Sequence, residues 1–243
     1  MPPSAATDSP EPPLVSVLVA AYDEADTLEP VLRRVAEQPL SAEIIVVDDG
    51  SRDATPEILQ RLLASGEIPG LKVLSHDDNR GKGAAVRTAI AASTGDIVVI
   101  QDADLEYDPR DLPRLLEPIL EGHADAVFGT RLRGGQPQRA HLFWHYVGNR
   151  LLSLMTNVLY NTTISDMEVG YKAFRGDLIR SLPLESDDFT IEPEVTAKLL
   201  RRGDTRLYEV PISYFGRSYA EGKKITWRHG VSAMWALLRY RLG

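Results

Sequence analysis

The run Ile97-Val98-Val99-Ile100-Gln101-Asp102-Ala103-Asp104 constrains the fold more than any other stretch of the chain. Four apolar residues in succession describe a strand buried on both faces, as the strands of helix-covered parallel sheets are. The strand ends in two carboxylates separated by one small residue, and ligands of open α/β sheets gather where strands end. Side chains alternate along a strand, so Asp102 and Asp104 share a side, with Ala103 leaving room between them. Two fixed carboxylates in that position form a hard-oxygen site for Mg²⁺ or Mn²⁺, and a diphosphate is the usual companion of such a metal. Taken alone, the same D-x-D also fits a solvated acidic turn.

The first half of the chain alternates strand-like and helix-like segments, the signature of an α/β sheet. Strands are predicted over Leu14–Ala20, Glu43–Val47, Leu71–Ser75, Ile97–Gln101 and Ala124–Gly129. Helices are predicted over Asp53–Ala64, Gly83–Ala92 and Pro109–Glu121. A further helix opens on an Asp26/Glu29 capping box and runs to about Glu37. The second half is less regular, with helices over His141–Tyr160 and Pro193–Arg201 and short strands at Tyr171–Phe174 and Arg206–Pro211. No repeat or low-complexity linker divides the halves, so residues 14–224 are read as one domain, followed by an amphipathic helix over 225–243. Met1 to Pro13 is rich in Pro, Ser, Ala and Thr without an apolar run, which reads as a disordered lead-in rather than a signal peptide.

Composition narrows the function. A net charge of −8 argues against nucleic acid as the main partner, which needs a basic face. With no cysteine, disulfides and thiolate metal sites are excluded, which fits a cytoplasmic protein. No apolar run reaches the length of about 18 residues needed to span a bilayer.

Other strand ends also carry chemistry. Asp48-Asp49-Gly50-Ser51 follows the second strand, where a carboxylate can accept from a base N–H or ribose hydroxyls; an ordinary strand-to-helix turn would look the same. Ala21-Tyr22-Asp23-Glu24 ends the first strand, with Tyr22 placed to stack on a base and Glu24 or Asp23 to bond a ribose; acids also collect at helix N-termini without a ligand. Asn79-Arg80-Gly81-Lys82-Gly83 sets two glycines and two cations at a helix start, suited to a phosphate or base edge. The P-loop spacing is missing, and no G-x-G-x-x-G follows the first strand, which disfavours a dinucleotide oxidoreductase.

Taken together, Val19–Glu24, Val46–Ser51, Asn79–Gly83 and Asp102–Glu106 fall in the order and spacing of family 2 glycosyltransferases of the GT-A fold. The chain resembles in particular the polyprenyl- and dolichyl-phosphate mannose and glucose synthases, from Leu14 onward. The resemblance implies that Tyr22, Glu24, Asp48 and Gly81 line the nucleoside pocket, with Asp49, Lys82 and Ala103 beside them. It implies that Asp102, Asp104 and Glu106 hold Mg²⁺ or Mn²⁺ and, through it, the diphosphate; Glu106 stands where mannose synthases often carry Gln. Gly129-Thr130-Arg131 matches the family's G-[ST]-R, whose Arg would grip an anionic acceptor bidentately. Trp144–Leu151 resembles the acceptor helix, anchored at Gly148-Asn149, although His141 and His145 replace the expected Arg and Ser.

Ser165–Lys172 matches D-x-x-x-G-[FY]-[KR]. Asp166 is its candidate for orienting sugar or acceptor, and Asp166 or Glu168 would be the general base if the acceptor were a hydroxyl. Glu192 and Glu194 are structural or sugar-orienting. Arg217–Ile225 resembles the loop that closes over the donor diphosphate, with Arg217, Lys223 and Lys224 neutralising it. The catalytic candidates are therefore Asp104, Arg131, Asp166 and Lys224. The C-terminal helix, with Trp227, Trp235, Arg239 and Arg241, suits either a membrane interface or packing on the domain or a second subunit.

The function this implies is metal-dependent, inverting transfer of a hexose from GDP-mannose or UDP-glucose to a polyprenyl phosphate, at the inner face of a membrane. Transfer to a hydroxyl, an idle nucleotide-sugar-binding module and a nucleotidyltransferase are the competing readings. A homodimer is compatible with all of them.

Overall fold

A computed structural model describes residues 12–139, 143–217 and 227–242. Its centre is a seven-stranded sheet built from β1 (Val15–Ala21), β2 (Ala42–Asp48), β3 (Leu71–Ser75), β4 (Ile97–Asp102), β5 (Ala126–Thr130), β6 (Lys172–Arg175) and β7 (Leu207–Pro211). The spatial order is β3-β2-β1-β4-β6-β5-β7. All pairings are parallel except those of β6, which runs antiparallel to β4 and β5. That reversal was not legible in four residues, because strand direction leaves no mark on so short an apolar run.

Burial follows the sequence logic. Val17, Val19, Ile45, Val46, Val47, Val98 and Val99 are all at 0% exposure, covered on both faces of the central strands. Helix α1 (Leu28–Ala36) turns Leu28, Val31, Leu32 and Val35 onto the sheet, while α2 (Thr55–Ser65) contributes Leu59 and Leu62. Helix α3 (Lys82–Ala92) is built from small residues, and Ala84, Ala85, Val86 and Ala89 let it lie close against β1 and β2.

Two boundaries differ from expectation. Helix α1 starts after Thr27, without a side-chain cap, and Glu29 binds Arg33 and Arg61 instead of closing a capping box. The helix expected over 109–121 divides into a 3₁₀ turn, Pro109–Asp111, and α4 (Leu112–Leu120), with Asp108 accepting from the Arg110 backbone N–H.

Beyond β5, helix α5 (Phe143–Tyr160) leads to β6, then α6 (Gly176–Ser181), α7 (Ile191–Arg202), β7 and α8 (Trp227–Leu242). The six-residue α6 was not anticipated; it is too short for a periodic signal. Helix α8 packs on α5 and α7 through Ala233, Ala236, Leu237 and Tyr240, joining Leu152, Ile164, Met167 and Ala197. The packing expectation for the C-terminus is met on that face, while Val231, Trp235, Leu238 and Leu242 remain exposed on the other. No helix among the described residues is long and apolar enough to cross a membrane.

Candidate active site

Strand register lines the chemistry up along one edge. Ala21 pairs with Asp48, Asp48 with Ser75 and Ala20 with Asp102, so β1 to β4 end together at the crevice where the strand order reverses. Thr130 ends β5 at the same edge, and the antiparallel β6 begins there after Gly170.

The loops after β1 and β2 are laced into one wall. Asp23 adopts φ +52° and accepts the Arg52 N–H at 2.8 Å, while the Asp23, Glu24 and Ala25 amides donate to Ser51, Thr55 and Asp53 at 3.0 Å each. Tyr22 is half-buried beside them, and Asp48, 4% exposed, accepts the Ser51 N–H at 3.1 Å. Asp49 is differently placed from the expected ligand contact. Its oxygens accept the Arg80 and Gly81 amides at 3.0 and 2.8 Å, and one lies 2.6 Å from His76 Nδ1, whose other nitrogen is 3.0 Å from Thr88 Oγ1. Asp49 and His76 thus brace the 79–83 loop from beneath. Gly81 takes φ +98°, and a Cβ there would collide with the Asp187 carbonyl, so only glycine fits this close approach.

Charge is densest at the end of β4. Lys82 Nζ is 2.8 Å from Asp102 Oδ1 and 3.1 Å from Glu192 Oε1; burial opposes its charge, yet these two carboxylates raise its pKa overall. Lys82 is therefore seated on carboxylates, where the sequence suggested an open phosphate contact. Ala103 is buried at 4% and leaves the turn narrow. Asp104 Oδ1 accepts the Glu106 amide at 3.0 Å, and Oδ2 is 2.6 Å from Arg217 Nη2. Burial, with the charges of Asp102 and Glu106 close by, pushes the Asp104 carboxyl up to about 7.

Glu106 turns toward the opposite wall, accepting from Tyr214 Oη at 2.9 Å and the Arg217 amide at 2.7 Å. Among the described residues no group of three or more His, Cys, Asp or Glu converges on a metal position. Of the expected triad, Asp102 is held by Lys82, while Asp104 and Glu106 share Arg217 and Glu106 also binds Tyr214. The carboxylates fit a divalent cation in chemistry: their donors are hard oxygens at the end of β4, and burial, joined by the charges of Asp102 and Glu106, opposes the charge on Asp104.

The acceptor end is equally structured. Arg131 donates from Nε to Asp166 Oδ2 and from Nη2 to Oδ1, both at 2.7 Å, and its backbone amide adds a bond of 2.9 Å. Asn149 of α5 donates to Asp166 Oδ1 at 2.6 Å, tying the helix to the site. Burial would raise the Asp166 carboxyl, but the Arg131 charge and these hydrogen bonds hold it below the usual range. The guanidinium fork expected to grip an acceptor phosphate is thus committed to Asp166. The Nη1 edge lies 3.4 Å from Tyr107 Oη, and the group stacks 5.0 Å from the Tyr214 ring centre.

Sequence reasoning passed over Tyr107, although it directly follows Glu106. It is 3% exposed, stacks on Tyr171 at 5.3 Å and accepts the Gly170 amide at 3.0 Å. It passed over the ion pair of Lys172 with Glu192 as well, in which Lys172 is fully buried. A lysine inside a strand pattern was the available signal. His145 lies in the first turn of α5; His141, Lys223 and Lys224 fall outside the described residues.

Comparison with known proteins agrees with this architecture. The family model "Glycosyl transferase family 2" matches residues 16–182. An undecaprenyl-phosphate mannosyltransferase of Micrococcus luteus is 31% identical, over 94% of this chain and 99% of that protein. A dolichol-phosphate mannosyltransferase of Pyrococcus furiosus is 30% identical over 86% of this chain, which spans 58% of that longer protein. Among solved structures, glucosyl-3-phosphoglycerate synthase from Mycobacterium tuberculosis, in complex with Mn²⁺, UDP and phosphoglyceric acid, superposes with a TM-score of 0.72. Its sequence identity is 23%, covering 94% of this chain and 78% of that one, and it establishes the shared GT-A fold. With strand-end carboxylates, a braced glycine loop and a family match running from β1 to the residue after α6, the chain belongs to glycosyltransferase family 2 and is a glycosyltransferase.

Proposed function

We propose that the chain transfers a hexose from a nucleotide sugar to a polyprenyl phosphate, with inversion at the anomeric carbon. The observation that carries this reading is the state of Asp166. A hydroxyl acceptor needs a base, and Asp166, forked to Arg131, bonded to Asn149 and held below its ordinary range, is a poor one. A phosphate acceptor is already anionic at neutral pH and needs none. The relatives named as undecaprenyl- and dolichol-phosphate mannosyltransferases support the same acceptor class.

In this reading the nucleoside lies against Tyr22, Glu24 and Asp48, over the loop braced by Asp49. Asp102 and Asp104 hold a divalent cation, Mg²⁺ or Mn²⁺, which when bound neutralises the donor diphosphate; metal-bound structural neighbours support that assignment. Lys82 and Arg217 supply fixed positive charge on either side of those carboxylates, with Lys223 and Lys224 following Arg217 in sequence. Arg131 offers its Nη1 edge to the acceptor.

The lipid chain lies on α5. Phe143, Trp144, Tyr146, Val147, Leu151, Leu154 and Val158 are all exposed on this helix, and Asn149 fixes the same helix to Asp166. Val231, Trp235, Leu238 and Leu242 of α8 are exposed as well, and apolar and aromatic side chains of this kind settle at a membrane interface.

One observation favours a second reading. Burial pushes the Glu168 carboxyl up to about 7, where a general base for a hydroxyl acceptor would sit. The test pairs a short polyprenyl phosphate with the corresponding polyprenol, each with GDP-mannose or UDP-glucose and Mn²⁺, and reads products by mass spectrometry. Glycosylation of the phosphate alone supports the proposal. Glycosylation of the polyprenol, or metal-dependent donor hydrolysis with no lipid product, overturns the acceptor assignment.

A further inference from the structure

Glu168 lies in the chain between Asp166 and Gly170, and the hydrogen bonds around it leave its Oε1 out. Two residues before it, Asp166 is saturated by Arg131 and Asn149. Two residues after it, Gly170 presses on the Asp102 carboxylate so closely that a Cβ would collide with Oδ2. Glu168 therefore lies on the short segment that joins the acceptor end of the crevice to the diphosphate end. Lys172, the cation nearest in sequence, gives its protons to the Val169 carbonyl and to Glu192. Glu168 Oε1 is enclosed and has no hydrogen-bond partner among the described residues, although the residue keeps partial exposure.

A buried carboxyl oxygen without a donor costs roughly 1–3 kcal/mol, so such a position calls for a donor that arrives from elsewhere. The reactants narrow the choice. A diphosphate and a phosphate acceptor carry essentially no donors at neutral pH, and the nucleoside lies at the far side, by Asp48. The hexose, which must lie between the diphosphate and the acceptor, carries several hydroxyl donors. We infer that Glu168 is a specificity-determining residue that accepts a hydrogen bond from a ring hydroxyl of the donor hexose. The inference rests on the transfer reaction proposed above. Burial raises the Glu168 carboxyl to about 7 even with Lys172 and Arg131 drawing it down, as expected of an oxygen that no fixed donor serves.

The test is calorimetric binding of UDP-glucose and GDP-mannose, each beside its free nucleoside diphosphate, to wild type, E168A and E168Q in the presence of Mn²⁺. The expected result is that E168A weakens the preferred hexose nucleotide about tenfold and leaves the matching nucleoside diphosphate unchanged. E168Q, which keeps an acceptor oxygen, recovers part of the loss. Equal weakening of both ligands, or none of either, overturns the inference. So does intact binding with abolished turnover, which would make Glu168 a base.

Should E168A not fold, deoxy-hexose nucleotides decide. Removing the recognised hydroxyl costs wild type about tenfold and E168Q clearly less; equal costs overturn the inference. If wild type binds neither hexose nucleotide nor nucleoside diphosphate, the transfer reading falls first and this inference with it.

Discussion

Arg131 and Asp166 are joined by two parallel hydrogen bonds of 2.7 Å, which clamp the end of β5 to the loop that enters β6. Asp166 is completely buried, so removing its charge leaves the half-buried Arg131 guanidinium without its counter-charge. Asp166→Asn is expected to lower the unfolding free energy by about 3 kcal/mol, measured by urea denaturation. Turnover should fall with it, because Arg131 loses its orientation. A variant as stable as wild type with a collapsed kcat would show that Asp166 acts on substrate directly.

The carboxylate pair is expected to govern donor chemistry with little effect on folding. Asp104→Asn removes a buried like charge beside Asp102, so its unfolding free energy should stay within about 1 kcal/mol of wild type. Transfer should drop at least about 100-fold, and EDTA should have the same effect on wild type until Mn²⁺ is restored. Full activity in EDTA would refute the metal role.

At the opposite end of the sheet, Glu43 binds Ser16, Lys72 and the Thr94 amide at 2.5 to 2.6 Å. Burial works against its charge, but these bonds win and bring the carboxyl down to about 2 from an ordinary 4.5. A depressed acid stabilises the fold above its unfolded value and loses that contribution as pH falls toward the folded one. Stability should therefore drop between about pH 4.5 and pH 2, by about 2 kcal/mol from this group. Glu43→Gln should be less stable at pH 7 and show a shallower acid limb; an unchanged limb would count against this account.

Gly81 offers a test of the braced loop. Gly81→Ala places a methyl against the Asp187 carbonyl and forces φ +98° on an alanine. The expected outcome is weaker nucleotide binding together with a loss of about 2 kcal/mol of stability. Normal nucleotide affinity would separate this loop from the donor site.

The exposed apolar surface should bind lipid. Replacing Trp144 and Trp235, 78% and 67% exposed, with Glu is expected to reduce co-sedimentation with anionic vesicles about tenfold. Donor hydrolysis, read separately, should be retained. Unchanged sedimentation would leave this face without a membrane role.

Much of this was legible in the residues. The apolar runs at 44–47 and 97–100 fixed the buried strands, because a strand covered on both faces has no polar side. Asp48, Asp102, Asp104 and Arg131 were singled out because each stands at or just past the end of a predicted strand, and the structure keeps them at the ends of β2, β4 and β5. What the sequence withheld was pairing. Nothing in the order of residues shows that Lys82 sits on Asp102, that Arg131 spends its fork on Asp166, or that Asp49 holds a loop 31 residues away. Those are choices among partners of like chemistry, made by the register of β1, β2 and β4 and by the antiparallel turn of β6. Tyr107 was missed for the same reason: its value comes from Tyr171 and Gly170, both distant in sequence.

The most direct measurement of the central claim is the ³¹P NMR spectrum of the product made from a short polyprenyl phosphate, the preferred nucleotide sugar and Mn²⁺. The account predicts that the lipid phosphomonoester signal is replaced by a phosphodiester coupled to an anomeric proton. An unchanged phosphomonoester accompanied by free nucleoside diphosphate would contradict it, because the hexose would then have gone to an acceptor other than the phosphate.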